Sequence, residues 1–168
     1  MIEKTRHWER YSALMDAVTA NAWPERRKDG GYKAALYILA ADDDLFRLAS
    51  ETSGAEGIQF GKIRAKLKKG CYSDSQMAAV KVAGNLFNGQ SGSVTPLELA
   101  GCEWSTLDVI CNAFYLWKGR DVLEGPDGTV LIKTAPREVF ARNFETGYDL
   151  ESLYDGPKFE PPAPSAHH

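Results

Sequence analysis

Three consecutive carboxylates, Asp42, Asp43 and Asp44, are the densest run of side chains with the chemistry to hold a hard cation. A calcium loop needs further oxygen ligands at alternate positions and a closing glutamate, and neither follows here. Capping is the plainer chemistry: Asp42 accepts a backbone N–H at the start of a helix, and Asp43 and Asp44 occupy its positive first turn. His7 is the only histidine besides the closing pair His167–His168, which is set aside from any metal argument. A histidine-based zinc or iron site needs a second imidazole, and Cys71, Cys102 and Cys111 lack the Cys-x-x-Cys spacing of structural zinc. A Cys–His nucleophile pair would need the fold to carry His7 to one of these thiols, and nothing local does so. Cys102 and Cys111 stand among apolar neighbours and read as small core side chains.

Other groups with possible chemistry are equally well explained by structure. Glu98 and Glu103 are typical acid–base candidates, but Glu98 already completes a helix start with Thr95. Neither common phosphate-binding glycine loop occurs. The stretch Asn88-Gly89-Gln90-Ser91-Gly92-Ser93 suits an anion at the helix start near Pro96, and equally suits a flexible connection. These patterns lead to no catalytic residue, no metal and no cofactor. The clearest charge feature is Lys62, Arg64, Lys66, Lys68 and Lys69. Such a face can contact phosphates, joined by Arg26, Arg27 and Lys28 if the fold brings them close; a solvated helix face is the plainer reading. No helix-turn-helix pair stands out. Trp104 and Tyr115 fall off the main apolar seam and are candidates for an interface or a small-molecule pocket.

The elements that must position these residues read as helices. Trp8, Tyr11, Met15, Val18 and Ala22 share one helical face, which Trp23-Pro24 ends. Glu25 to Gly31 reads as an exposed loop. Lys33 to Ala41 is apolar nearly all round and rich in Ala and Leu, as expected of a buried helix. The helix capped by Asp42 runs through Leu45, Phe46, Leu48 and Ala49 to about Ser53-Gly54, and Phe60, Ile63 and Leu67 share a face of the next, which Gly70 ends. Ser73 with Gln76 and Thr95 with Glu98 match capping boxes, and Ser105 with Asp108 resembles a third. Two longer helices then show seams of the same steps, Met77-Val80-Gly84-Phe87 and Leu107-Ile110-Phe114-Trp117, so duplication and chance both remain open. Val122 to Glu124 and Thr129 to Ile132 form a small hairpin across Gly125-Pro126-Asp127-Gly128. Pro136 starts a last helix with Val139, Phe140 and Phe144. Tyr148, Leu150 and Tyr154 follow in a looser stretch that packs on its own domain or crosses to a neighbour.

The totals fit this picture. A chain of 168 residues, 43% hydrophobic and 26% charged, is long enough for one domain with its own core. A net charge of -3 argues against strong nonspecific DNA binding. An odd number of cysteines without a pairing pattern points to reduced thiols and a cytoplasmic setting. The opening MIEKTRHWER has no apolar signal region, and no stretch is apolar enough to cross a bilayer. The expected fold is mainly α, a single-domain helical bundle over residues 1–155 with a small β-hairpin near its C-terminal end. A disordered Pro-rich tail over 156–168 follows.

Lys33-Ala34-Ala35-Leu36-Tyr37-Ile38-Leu39 followed by acids, and Val82-Ala83-Gly84-Asn85-Leu86-Phe87-Asn88-Gly89, resemble an uncharacterised family of small proteins from phages and mobile elements of Gram-positive bacteria. The resemblance spans about residues 32–119. Ala40 stands where that family has a glycine after the first helix's leucine. It implies a mobile-element accessory protein of the bacterial cytoplasm, and carries over no functional residue. The functional expectation is therefore a non-enzymatic binding or accessory protein, such as a counter-defence factor acting on a host protein or small ligand. The alternatives are nucleic-acid binding through the basic helix face and an enzyme whose site is assembled from distant segments. That last reading calls for a deep polar pocket with perturbed carboxylates or a reactive thiol. An oligomer is compatible with all three.

Overall fold

The computed structural model describes residues 6–20, 23–89, 92–125 and 128–132. Helix α1 (His7–Thr19) buries His7, Arg10, Tyr11, Leu14, Met15 and Val18. It ends at Thr19, earlier than Trp23-Pro24, because Ala20 already turns to extended backbone (ψ 139°). The segment expected as a loop holds a 3-10 turn (Pro24–Arg27) and the start of α2 (Gly30–Ala40), capped by the Asp29 carboxylate accepting from Tyr32 N–H. Helix α3 (Asp43–Thr52) starts as expected, with Asp42 Oδ1 accepting the N–H groups of Asp44 and Leu45. A two-residue ladder of β1 (Ser53–Gly54) and β2 (Gly57–Ile58) follows, too short to leave a periodic signal in the sequence.

Helix α4 (Phe60–Leu67) turns Phe60 and Ile63 inward. Helix α5 (Asp74–Asn88) carries the full Ser73–Gln76 capping box and ends on left-handed Gly89 (φ 72°). Helix α6 (Pro96–Ala100) carries the Thr95–Glu98 box. Helix α7 (Trp104–Trp117) begins one residue before the expected cap, so Ser105 lies inside it. Glu103 holds the cap position without a side-chain bond, and its N–H donates to Ser75 Oγ on α5 (3.1 Å). The hairpin of β3 (Val122–Glu124) and β4 (Val130–Ile132) is antiparallel, pairing Val122 with Ile132 and Leu123 with Leu131.

Helix α2 is the axis of the bundle, with α1, α3, α5 and α7 packed around it. Every residue from Lys33 to Ala40 is buried, which is why this segment shows no polar face in the sequence. Leu36 and Leu39, fully buried, each contribute about 1.5–3 kcal/mol of apolar transfer energy. The Gly30–Gly31 pair lets the N-terminus of α2 approach the carbonyl ends of both flanking helices. A Cβ on Gly30 would meet Trp117 O of α7 at 2.4 Å, and one on Gly31 would meet Leu86 O of α5 at 3.2 Å. Lys33, buried, sends Nζ to the Asp121 carboxylate (2.8 Å) and Arg120 O (3.3 Å), tying α2 to the strand leaving α7.

The described residues fall within one unit, Met1–Lys133. Mainly helical architecture with a small hairpin is as expected. The proposed helix from Pro136, the stretch with Tyr148, Leu150 and Tyr154, and the Pro-rich tail lie outside the described residues.

Candidate functional site

The three acids do structural work. Asp42 Oδ1 also accepts from Gln76 Nε2 (3.0 Å), joining the starts of α3 and α5. Asp43 pairs with the buried Arg10, and Asp44 pairs with Arg47 one turn along (2.7 Å). A cleft of about 400 Å³ opens beside them, with Arg10, Ser73, Gln76 and Glu103 in its wall. Among the described residues no three His, Cys, Asp or Glu side chains are placed to share a metal ion. Likewise, no helix among them is long and apolar enough to cross a membrane.

A second cavity, of about 510 Å³, lies where His7 and Tyr37 face Asp108 and Asn112 of α7 and Val130 and Leu131 of β4. His7 Nε2 lies 2.8 Å from Tyr37 O. A carbonyl only accepts, so the proton sits on Nε2 and the Nδ1 lone pair is basic. Burial pushes the imidazole below its ordinary 6.5, and the Arg10 charge adds to this against the Tyr37 carbonyl. Burial pushes the Tyr37 phenol up, while the amide of Asn112 donates to its oxygen (3.4 Å). The shifted groups here are thus an imidazole and a phenol, where the enzyme reading called for carboxylates or a reactive thiol. Burial raises the Cys102 thiol pKa, and its Sγ donates to Glu98 O (3.3 Å), so Cys102 stays protonated at neutral pH. Glu98 is held down to about 2 by Lys81 Nζ (2.7 Å) and by the N–H and hydroxyl of Thr95. It is an anchored carboxylate, unsuited to carry protons near neutrality.

His7, Glu98 and Glu51, whose carboxylate Lys66 likewise holds below its ordinary value, all contribute to the pH dependence of stability. All three have folded pKa values below their ordinary ones, so the unfolded chain takes up the proton first. The His7 contribution is complete above pH 6.5 and falls as pH drops below it. The Glu98 contribution is complete above 4.5 and is lost as pH falls toward about 2. Urea midpoints measured from about pH 8 down to about pH 3 should therefore fall in two stages. His7→Gln should flatten the upper stage alone, and Glu98→Gln should shrink the lower stage, which Glu51 shares; an unchanged profile in either variant contradicts its assignment.

The basic side chains Lys62, Arg64, Lys66, Lys68 and Lys69 are all exposed, on α4 and the turn after it. Lys66 pairs with Glu51 of α3. Arg26 is occupied elsewhere: its guanidinium donates to Val18 O (2.6 Å) and Ala55 O (2.7 Å) and stacks on Trp23 and Tyr32. Arg27 pairs with Asp16 on α1.

The most unusual surface is the outer face of α7. Its inward side chains, Ile110, Ala113 and Leu116, are buried against α2 and α5. Its other side carries Trp104 (82% exposed), Phe114 (47%) and Tyr115 (48%), together with exposed Cys111. The expectation that Cys111 is core is thereby overturned, and Phe114 and Trp117 are half-exposed where a seam through them was expected. Met77 of α5 likewise faces out. The buried seams are Val80-Ala83 on α5 and Ile110-Ala113 on α7, set by small side chains that let both helices approach α2. Ser105, Asp108 and Asn112 mark one polar stripe of α7, but apolar side chains fill both flanks of it, so its sequence does not say which apolar stripe faces in. Trp117 Nε1 donates to Leu86 O (2.9 Å), which anchors the C-terminal end of α7 to α5. Arg120 lies over the Tyr115 ring (4.4 Å) and Lys118 over Trp117 (5.8 Å), placing cations at this end, while Glu103 and Asp108 lie in the first half. Of the two sequence-marked aromatics, both are on this outer face, and Cys111 and Phe114 join them unforeseen.

These features define a helical protein with an aromatic, solvent-facing side on α7. Neither the models of known families, nor curated proteins, nor solved structures include a match to the chain.

Proposed function

We propose that this chain is a non-enzymatic binding protein that engages a protein partner through the outer face of α7. The observation that carries this reading is the exposure of Trp104, Phe114 and Tyr115 on a helix whose opposite side is locked into the core. Rigid aromatics are the side chains that contribute most on burial at an interface, because they hide much area and lose little rotamer freedom. A mobile-element accessory factor that occupies a host protein, the role implied by the resemblance of residues 32–119, would use such a surface. Nucleic-acid binding is the second reading, favoured by the exposed cations on α4.

A photo-crosslinking residue placed at Cys111 and, separately, at Lys62 distinguishes them inside bacterial cells. The α7 reading expects a protein adduct from position 111 that Trp104→Ala abolishes, and no nucleic-acid adduct from position 62. Nucleic acid captured at 62, with nothing captured at 111, would replace it with the second reading.

A further inference from the structure

The outer face of α7 has a regular order. Exposed Trp104, half-buried Leu107, exposed Cys111, half-exposed Phe114 and exposed Lys118 follow at steps of three, four, three and four residues, the spacing of a helix-pairing seam. Charge is unevenly placed along it. Glu103 and Asp108 lie in the N-terminal half, and Lys118 and Arg120 at the C-terminal end. A parallel pair of such helices would set Glu103 against Glu103 and Lys118 against Lys118. An antiparallel pair sets the acidic end of each against the basic end of the other. The face is thus complementary to itself under a two-fold axis, the requirement for a symmetric dimer.

We propose that the outer face of α7 is covered by the same face of a second copy of this chain, with the two helices antiparallel. This rests on the reading of that face as a protein-binding surface and names its occupant. Seam residues alternate across an antiparallel pair, so Trp104 of each copy faces Phe114 of the other and Leu107 faces Cys111. Glu103 then meets the Tyr115–Arg120 stack across the axis. Burying these faces together removes on the order of 1,000 Å² from water, the lower end of specific interfaces.

The test uses the whole chain with Cys71→Ser and Cys102→Ser, leaving Cys111 as the one thiol. Sedimentation should show a dimer at micromolar concentration, and a short bis-maleimide should join two chains through Cys111. Phe114→Glu should give a folded monomer with unchanged circular dichroism. Glu103→Lys should weaken the dimer roughly tenfold, and adding Arg120→Glu should restore it. A dimer indifferent to Phe114→Glu and not joined through Cys111 overturns the proposal. A monomer whose Cys111 reacts with maleimide as fast as in urea also overturns it, but leaves the face open for a different protein. A monomer whose Cys111 is protected overturns both readings, because the chain itself then covers the face.

Discussion

Leu116→Ala is expected to lower the free energy of unfolding by about 3 kcal/mol, whereas Phe114→Ala, two residues earlier on the same helix, changes it by less than about 0.5 kcal/mol. Leu116 has no exposed surface and fills the space between α7 and the bundle, so truncation removes transfer energy and leaves a cavity. Phe114 is half-exposed on the outer side. Urea titrations at a concentration low enough to keep the chain monomeric measure both. Equal losses would mean that α7 is buried on both sides within its own chain, which would remove the basis for a binding face. The contrast therefore tests the functional reading as well as the packing.

Gly30→Ala should cost about 2 kcal/mol, a large effect for one added methyl group. The new Cβ would lie 2.4 Å from Trp117 O and 3.0 Å from its carbonyl carbon. Those are backbone atoms at the end of α7, so relief requires moving the helix rather than turning a side chain. Gly61→Ala is the control. Nothing lies within 4 Å of its Cβ position on α4, and alanine there should add roughly 0.5–1 kcal/mol of stability through helix propensity. The two substitutions should shift the melting temperature in opposite directions. A neutral Gly30→Ala would mean that α2 and α7 are not as closely packed as their geometry shows. Because Gly30 sets the depth at which α7 sits, this variant should also loosen the outer face and raise the labelling rate of Cys111.

The sequence was most legible where a local signal suffices. Ser73 with Gln76 and Thr95 with Glu98 form their reciprocal bonds as read, since both partners lie within one turn. Asp42 caps α3 for the same reason, and the apolar run from Lys33 marks the central helix because burial on all sides leaves no polar stripe. Local patterns failed where a distant partner decides. Ser105 resembled a cap, yet Ser75 on another helix receives the N–H of Glu103 and α7 starts earlier. The segment from Glu25 to Gly31 looked like a loop because its glycines suggest flexibility. They are required instead by the carbonyls of Leu86 and Trp117, far along the chain.

The candidate site shows the same division. Trp104 and Tyr115 were marked from the sequence because they fall off the apolar seam, and exposure follows from that. Cys111 and Phe114 were not, because α7 is apolar on both flanks of its Ser105-Asp108-Asn112 stripe and either flank can serve as the inner one. The sequence by itself determined the helical class, the capped starts and the hairpin, all of which depend on bonds between near neighbours. Only the tertiary structure decided which side of α7 turns inward. Close approach to α2 favours the small Ala113 over the larger Phe114, and that choice leaves the aromatic side facing water.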